Sequence, residues 1–150
     1  MAPESPIVTF LEPSSSVSRA WKDPRFKSIL KEAGLPHEVR VHASLESLTA
    51  DVSENRDRIA ALVARMWDVP WDTLGRDPQI KDDRLRHLDG LVSFREQFLP
   101  QKPVVIASFF PETEVGEPED QKAFERKGIY TQELPIGPSE LARILKGILK

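Results

Sequence analysis

Residues 104–107, Val-Val-Ile-Ala, form an uninterrupted apolar run directly after Pro103. A strand with one face in water alternates apolar and polar side chains, whereas a continuous apolar run predicts a central strand that is buried on both faces. Burial of this kind is typical of parallel sheets that are covered by helices. A second apolar run at residues 7–11, between Pro6 and Pro13, predicts another buried strand.

Strand and helix patterns alternate along the remaining chain. Asp23 and Pro24 are typical of a helix start, because Asp caps the helix and Pro lacks an N–H that the first turn would leave unpaired. Apolar residues at positions 59, 62, 63, 66 and 67 share one face of a helix, which Pro70 would end. The predicted elements are, in order, a strand at 7–11, a helix from Asp23 to Gly34, a strand at 37–43, a helix at 59–67, a short helix that contains Leu91, Phe94 and Phe98, a strand at 104–107, a helix at 118–127, a strand at 129–134 and a last helix with the apolar stripe Leu141, Ile144, Leu145 and Ile148.

This order of elements predicts a single α/β domain, with a doubly wound parallel sheet of about five strands and helices on both faces. We expect residues 104–107 to lie between the strands at 7–11 and 129–134. In such sheets, functional groups lie at the carboxyl ends of the strands. Here those ends carry Glu12, Ser44, Ser108 and Leu134.

Composition excludes several classes of site. The 150 residues include no cysteine, which excludes disulfides, thiolate metal sites and cysteine nucleophiles. The formal net charge is -3 and basic residues are scattered among acidic ones, so we expect no nucleic-acid partner. No apolar run approaches the roughly 18 residues of a membrane span, and the first residues lack the features of a signal peptide. We therefore expect a cytoplasmic protein that does not enter a membrane, and we expect no metal or cofactor.

Few polar residues stand in a pattern that predicts chemistry. His37 and His42 would point to opposite faces of a strand, so they cannot easily share a metal ion. Asp82 and Asp83 are adjacent carboxylates that precede a predicted helix. Such a pair can bind a hard cation or accept a phosphoryl group, and it can equally be a solvated turn in which one Asp caps the helix. The run alone leaves both interpretations open.

The segment that begins at Asp82 resembles part of the receiver domain of bacterial response regulators. Asp82 is followed seven positions later by Asp89-Gly90, a separation similar to that between the family's phosphoacceptor aspartate, which follows the third strand, and the Asp-Gly that opens the third helix. Ser108 is similar to the Thr or Ser that ends the family's fourth strand, and Tyr130 lies in a segment similar to its fifth strand. The resemblance implies a phosphoacceptor-like role for Asp82 and switch-like roles for Ser108 and Tyr130.

Several positions depart from the family's pattern. The carboxylate pair that holds Mg²⁺ at the end of the family's first strand falls on Phe10 and Leu11, and only Glu12 matches the end of that acidic signature. The lysine of the fifth strand, which contacts the phosphoryl group, falls on Leu134. The family's third strand falls on residues 77–81, which are polar. Extra residues before Asp82 indicate an insertion around positions 50–80.

These substitutions indicate a pseudo-receiver, because phosphoryl transfer depends on positioning and on charge neutralisation by a metal and a cation. We therefore predict a non-catalytic regulatory or protein-interaction module, not an enzyme, which binds a protein partner or forms a homodimer. Two alternatives remain open. One is a working phospho-receiver with Asp82 as the acceptor. The other is a small flavodoxin-like enzyme or ligand-binding domain, for which Ser14 to Ser16 and Trp71 are the support.

Overall fold

The computed structural model describes residues 5–149, which form one five-stranded parallel sheet and seven α-helices. The spatial order of the strands is β2-β1-β3-β4-β5. This is the receiver or flavodoxin-like arrangement, and it confirms the predicted fold class. The strands are β1 (Ile7–Leu11), β2 (Glu38–His42), β3 (Ile59–Arg65), β4 (Val104–Ser108) and β5 (Ile129–Glu133). The helices are α1 (Ser15–Lys22), α2 (Pro24–Glu32), α3 (Leu45–Asn55), α4 (Asp83–Phe98), α5 (Pro111–Glu114), α6 (Pro118–Glu125) and α7 (Pro138–Ile148).

Two apolar cores lie on opposite faces of the sheet. Neighbouring side chains of a strand point to opposite faces, and in β1 the side chains of Ile7 and Leu11 enter one core while Val8 and Phe10 enter the other. The first core is covered by α3 and α4, and the second by α1, α2 and α7. Helices therefore cover both faces, and the central strands β1, β3 and β4 are buried along almost their whole length.

The predicted helix at residues 59–67 is wrong, because these residues form β3 and the turn that follows it. A strand that is buried on both faces has no alternation, so its apolar residues also satisfy a helical spacing. The prediction that residues 104–107 lie next to the strand at 7–11 is wrong for the same reason, because β3 was not recognised as a strand. β4 pairs with β3 and β5, and β3 lies between β1 and β4. Residues 77–81, which the resemblance assigned to the third strand, belong to no strand.

The connection from β3 to α4 packs closely on the fold. It contains a 3-10 helix, Trp71–Leu74, in which Trp71 is fully buried. The indole Nε1 of Trp71 donates to the carbonyl oxygen of Arg65 at 2.9 Å. A Cβ atom at Gly90 would lie 1.6 Å from the carbonyl oxygen of Trp71. Only glycine at this position lets α4 approach the 3-10 helix so closely.

None of the helices within the described residues 5–149 is long and apolar enough to cross a membrane.

Candidate functional site

A buried ion pair lies where β1 and β3 end. Glu12 follows β1 and is 3% exposed, and Arg65 is the last residue of β3 and is 8% exposed. The Nη1 of Arg65 donates to both carboxylate oxygens of Glu12, at 3.0 and 3.2 Å. Removing either side chain would leave the charge of the other buried and uncompensated. Each charge therefore depends on the other to remain at this buried position.

The guanidinium of Arg65 also packs on an aromatic ring. Its central carbon lies 4.9 Å from the ring centroid of Phe109, a cation–π arrangement. The Nε of Arg65 is buried and has no hydrogen-bond partner among residues 5–149. Most buried donors are paired in folded proteins. Thr9, His37 and Thr131 also have a buried side-chain atom without a partner among the described residues, but Arg65 is the one of these four residues that always carries a charge.

A second carboxyl group is buried beside the end of β4. The hydroxyl of Ser108 donates to Oε2 of Glu114, and the N–H of Phe110 donates to the Ser108 hydroxyl oxygen at 3.0 Å. Glu114 is 6% exposed, and burial raises the pKa of its carboxyl above the ordinary value, against the lowering effect of the Phe110 N–H and of Arg65. Desolvation disfavours the charged form, so the protonated form of this carboxyl is favoured more than in water.

Asp82 lies at the start of α4 and not at the end of a strand. It is the N-cap residue, and its Oδ1 accepts from the N–H of Leu85 at 3.1 Å. Its side chain is exposed. β3, the third strand along the chain, ends at Arg65 and is followed by Met66, which is 2% exposed. The assignment of residues 77–81 to the third strand placed Asp82 after a strand, and the structure does not have that strand.

The other predicted site residues lie in or beside the sheet. Phe10 and Leu11 are each 1% exposed and enter opposite cores, so neither side chain offers a polar atom to a shared site. Leu134 follows β5, and its N–H donates to the carbonyl oxygen of Ser108 at 2.8 Å. Tyr130 pairs with Val105 and is half-buried against the second core. The structure thus brings Ser108 and Leu134 together.

Sequence reasoning missed the two most informative residues, Arg65 and Glu114. Arg65 was assigned to the predicted helix at residues 59–67 and was therefore not considered as a site residue. A charged residue directly after an apolar run of strand length would have indicated a functional group at the end of a strand. Glu114 lies in an acidic segment where nothing distinguishes it from its exposed neighbour Glu112. Its burial follows from the position of α5 against β4, which a sequence pattern does not predict.

A separate polar cluster joins the edge strand β2 to α3. Oδ1 of Asp51 accepts from Nη1 of Arg40 at 2.5 Å and from Nδ2 of Asn55 at 2.8 Å. Oδ2 of Asp51 lies 2.9 Å from Nε2 of His42, whose Nδ1 lies 2.7 Å from Oγ of Ser47. Burial would raise the pKa of Asp51, but the hydrogen bonds from His42 and Arg40 outweigh it and the net pKa is lowered.

One group of side chains within the described residues has the spacing of a metal site. Ligand atoms of Asp72, Asp83 and His87 lie within 4.8 Å of one another. Nε2 of His87 is 3.5 Å from Oδ1 of Asp72, and Nδ1 is 2.9 Å from the carbonyl oxygen of Asp83. These residues lie on the 3-10 helix and the first turns of α4, not at the strand ends. Two carboxylates and an imidazole suit a divalent cation, but Asp83 is exposed.

The fold has clear counterparts among solved structures. A response regulator receiver domain protein from Clostridium thermocellum has a TM-score of 0.59 and 14% identity, over 96% of this chain and 94% of its own. The receiver domain from hybrid histidine kinase CckA has a TM-score of 0.54 and 19% identity, over 95% of this chain and 98% of its own.

A third counterpart has the same fold. The chemotaxis response regulator CheY4 of Vibrio cholerae has a TM-score of 0.57 and 16% identity, over 97% of this chain and all of its own. This chain has the receiver-domain fold. No protein-family model matches it, and no curated protein does. At these levels of identity the comparison concerns the fold alone.

Proposed function

We propose that this chain is a regulatory protein-interaction module with the receiver fold that works without aspartyl phosphorylation and is not an enzyme. The observation that carries the proposal is the end of β3. There the chain places the buried cation of Arg65 and then the buried thioether of Met66. In receiver domains, the phosphoacceptor aspartate follows the third strand, so this position lacks the group that would accept phosphate.

The charges at the strand ends also oppose a magnesium site. Mg²⁺ needs carboxylate oxygens in a nearly octahedral arrangement. Glu12 is the carboxylate closest to the acidic signature of the family, and both of its oxygens already accept from Arg65. A divalent cation beside Glu12 would stand close to a guanidinium in a poorly solvated place, where like charges repel strongly. Phe10 and Leu11 offer no further oxygen.

The competing function is a working phospho-receiver with Asp82 as the acceptor. Asp82 is exposed and its carboxylate caps α4, so a phosphoryl group there would face solvent. Leu134, which stands where the family has a phosphate-binding lysine, is 5% exposed and apolar. Losing one fixed charge contact to a transferring group costs on the order of a hundredfold in rate. These features favour the module that needs no phosphorylation.

The test is incubation with acetyl phosphate and Mg²⁺, followed by intact-mass measurement, with a phosphorylatable receiver domain as the positive control. We expect the control to gain one phosphoryl group and this chain to gain none. We also expect no change in tryptophan fluorescence on addition of Mg²⁺ or of a beryllofluoride phosphoryl mimic. Stoichiometric phosphorylation that disappears in Asp82→Asn would establish the working phospho-receiver instead.

A further inference from the structure

Exposed aromatic side chains cluster beside the Glu12–Arg65 pair. Four large apolar side chains are exposed among residues 5–149, and three of them surround one pocket of about 280 Å³. These are Trp67, Phe109 and Phe110, which are 57%, 36% and 69% exposed. Scattered exposed apolar residues are ordinary, but a contiguous group of them marks a place where another molecule covers the surface.

An acidic cleft adjoins this pocket. The cleft has a volume of about 530 Å³ and shares Phe109, Phe110 and Thr113 with the pocket. The exposed carboxylates of Glu112 and Glu133 line it, and its described lining residues include no Lys or Arg. Residues 109–121 contain no basic residue at all. We call the pocket and the cleft together the Phe109–Phe110 groove.

We infer that the Phe109–Phe110 groove docks a polypeptide segment of a partner protein that carries a large apolar side chain next to Lys or Arg. This inference rests on the proposed function and names its partner by chemistry. The apolar side chain enters the pocket and packs on Trp67, Phe109 and Phe110. The basic side chain lies in the cleft against Glu112 and Glu133. Buried aromatic anchors supply affinity in such interfaces, and complementary charge at the rim supplies specificity and speed of association.

The exposure of the pocket's aromatic rings favours a polypeptide over a small ligand. Small-molecule sites usually measure about 300–1,000 Å³ and bury most of the ligand surface. The pocket lies at the lower end of that range and the cleft within it, but the rings of Trp67 and Phe110 are more than half exposed, so the pocket would bury little of a small ligand. A single anchoring side chain fits such a volume, and the rest of the partner would cover the exposed rings.

The buried Glu12–Arg65 pair holds part of the groove's lining in place. Arg65 is held by Glu12 and packs on Phe109, so the ring of Phe109 rests on a charged group that cannot easily move. On the other side of the pocket, Glu114 is tied to Ser108 and to the backbone of Phe110. A surface that is already ordered loses less conformational entropy on binding, which favours affinity.

The experiment uses two fluorescein-labelled synthetic peptides. One is an amphipathic peptide of lysine, leucine and phenylalanine, and its twin carries glutamate in place of every lysine. Fluorescence anisotropy with the whole chain should show binding of the lysine peptide that weakens as salt rises. The twin should not bind. Phe110→Ser should weaken binding of the lysine peptide at least tenfold, whereas Leu85→Ser, at the fourth exposed apolar side chain, should leave it unchanged.

A charge-matched pair of variants tests the acidic cleft. The double variant Glu112→Gln with Glu133→Gln should weaken binding of the lysine peptide and flatten its salt dependence. The double variant Glu46→Gln with Glu54→Gln, at exposed carboxylates of α3, should do neither. Equal binding of the two peptides, equal effects of Phe110→Ser and Leu85→Ser, or no binding of the lysine peptide would overturn the inference.

Two further outcomes separate this inference from the proposed function. Sedimentation over a range of concentrations would overturn the inference if it showed a dimer that Phe110→Ser dissolves, because the groove would then bind a second copy of the chain. If the lysine peptide does not bind and acetyl phosphate leaves the mass unchanged, the docking inference fails and the proposed function stands. If acetyl phosphate phosphorylates the chain, the proposed function fails whatever the peptides do.

Discussion

Two ion pairs, each with a buried carboxylate, differ in how completely their polar atoms are satisfied. At the edge of the sheet, each oxygen of Asp51 has a partner, and the partners Arg40, His42 and Asn55 come from β2 and α3. In the middle of the sheet, Glu12 pairs with Arg65, but Nε of Arg65 has no partner among the described residues and burial raises the pKa of nearby Glu114. The edge cluster is electrostatically complete and the central cluster is not.

This difference indicates which of the two clusters takes part in recognition. Satisfied polar networks order a fold, whereas a buried charged donor without a partner and a carboxyl group desolvated beside a pocket mark a candidate functional site. The central cluster also lies beneath the exposed rings of Trp67 and Phe109, and the edge cluster has no exposed aromatic neighbour among the residues described. We therefore assign the edge cluster to stability and the central cluster to recognition.

The largest expected effect comes from removing the central cation. Arg65→Met leaves the carboxylate of Glu12 buried without a counter-charge, with the N–H of Ser14 as its remaining donor, and this should lower the free energy of unfolding by about 3–5 kcal/mol. Chemical denaturation measures the change. The double variant Glu12→Gln with Arg65→Met removes both charges, so it should recover most of the loss. If Arg65→Met costs less than about 1 kcal/mol, the pair is not effectively buried and the contrast with the edge cluster disappears.

The edge cluster should show a smaller loss and a clear dependence on pH. Asp51→Asn replaces charged hydrogen bonds by neutral ones and should cost about 1–3 kcal/mol at neutral pH. Because the pKa of Asp51 is lowered in the folded chain, its stabilising effect is complete above the ordinary pKa of about 3.9 and is lost as pH falls through the lowered value. The variant should therefore lose less stability in acid than the parent chain.

Asp57→Asn is the matched control for that measurement, because Asp57 is exposed. It should change the free energy of unfolding by no more than about 0.5 kcal/mol at any pH tested. If the free energy of unfolding falls equally steeply in acid for the parent chain and for Asp51→Asn, Asp51 is not responsible for that fall. The edge cluster would then lose its assigned role in stability.

The contrast between the clusters also shows what the sequence could and could not predict. Strands β1, β2, β4 and β5 and the last helix follow from apolar runs, alternation and capping residues, and they were enough for the fold class. β3 was missed because its residues 59–65 are apolar on both faces, so the spacing of apolar residues favours neither the period of a strand nor that of a helix. With residues 59–65 assigned to a helix, the third strand of the resemblance fell on residues 77–81, directly before Asp82. This agreed with the spacing from Asp82 to Asp89-Gly90, which had made Asp82 a candidate acceptor.

The central cluster lay beyond the reach of local patterns. Arg65 and Glu12 are 53 residues apart, and no local periodicity couples them. Helices α1 and α3 were also missed, since α1 begins in a serine-rich segment that is typical of a loop. Its N-cap Ser14 accepts from the N–H of Val17. Serine is a favoured N-cap residue, but the polar composition of the segment indicated a loop and not a helix start. The edge cluster was missed for a similar reason, because Asp51 lies on the unpredicted α3.

The smallest expected effect tests whether Glu114 opposes folding when it ionises. The pKa of Glu114 is raised in the folded chain. Above the ordinary pKa of about 4.3, Glu114 ionises more readily in the unfolded chain than in the folded one, which lowers the free energy of unfolding. This loss of stability grows with pH until pH passes the raised pKa of the folded chain. Glu114→Gln keeps an oxygen that can accept from Ser108 and cannot ionise. Its stability should equal that of the parent chain below about pH 4 and exceed it increasingly as pH rises toward the raised pKa of Glu114.

Glu112→Gln is the matched control, because this neighbouring carboxylate is exposed and should show no such trend. If Glu114→Gln were less stable than the parent chain at about pH 8 and equal to it at about pH 4, an ionised Glu114 would be supporting the fold by its attraction to Arg65. The central cluster would then be as complete as the edge cluster. Only Nε of Arg65 and the exposed rings would then distinguish the central cluster as the recognition site.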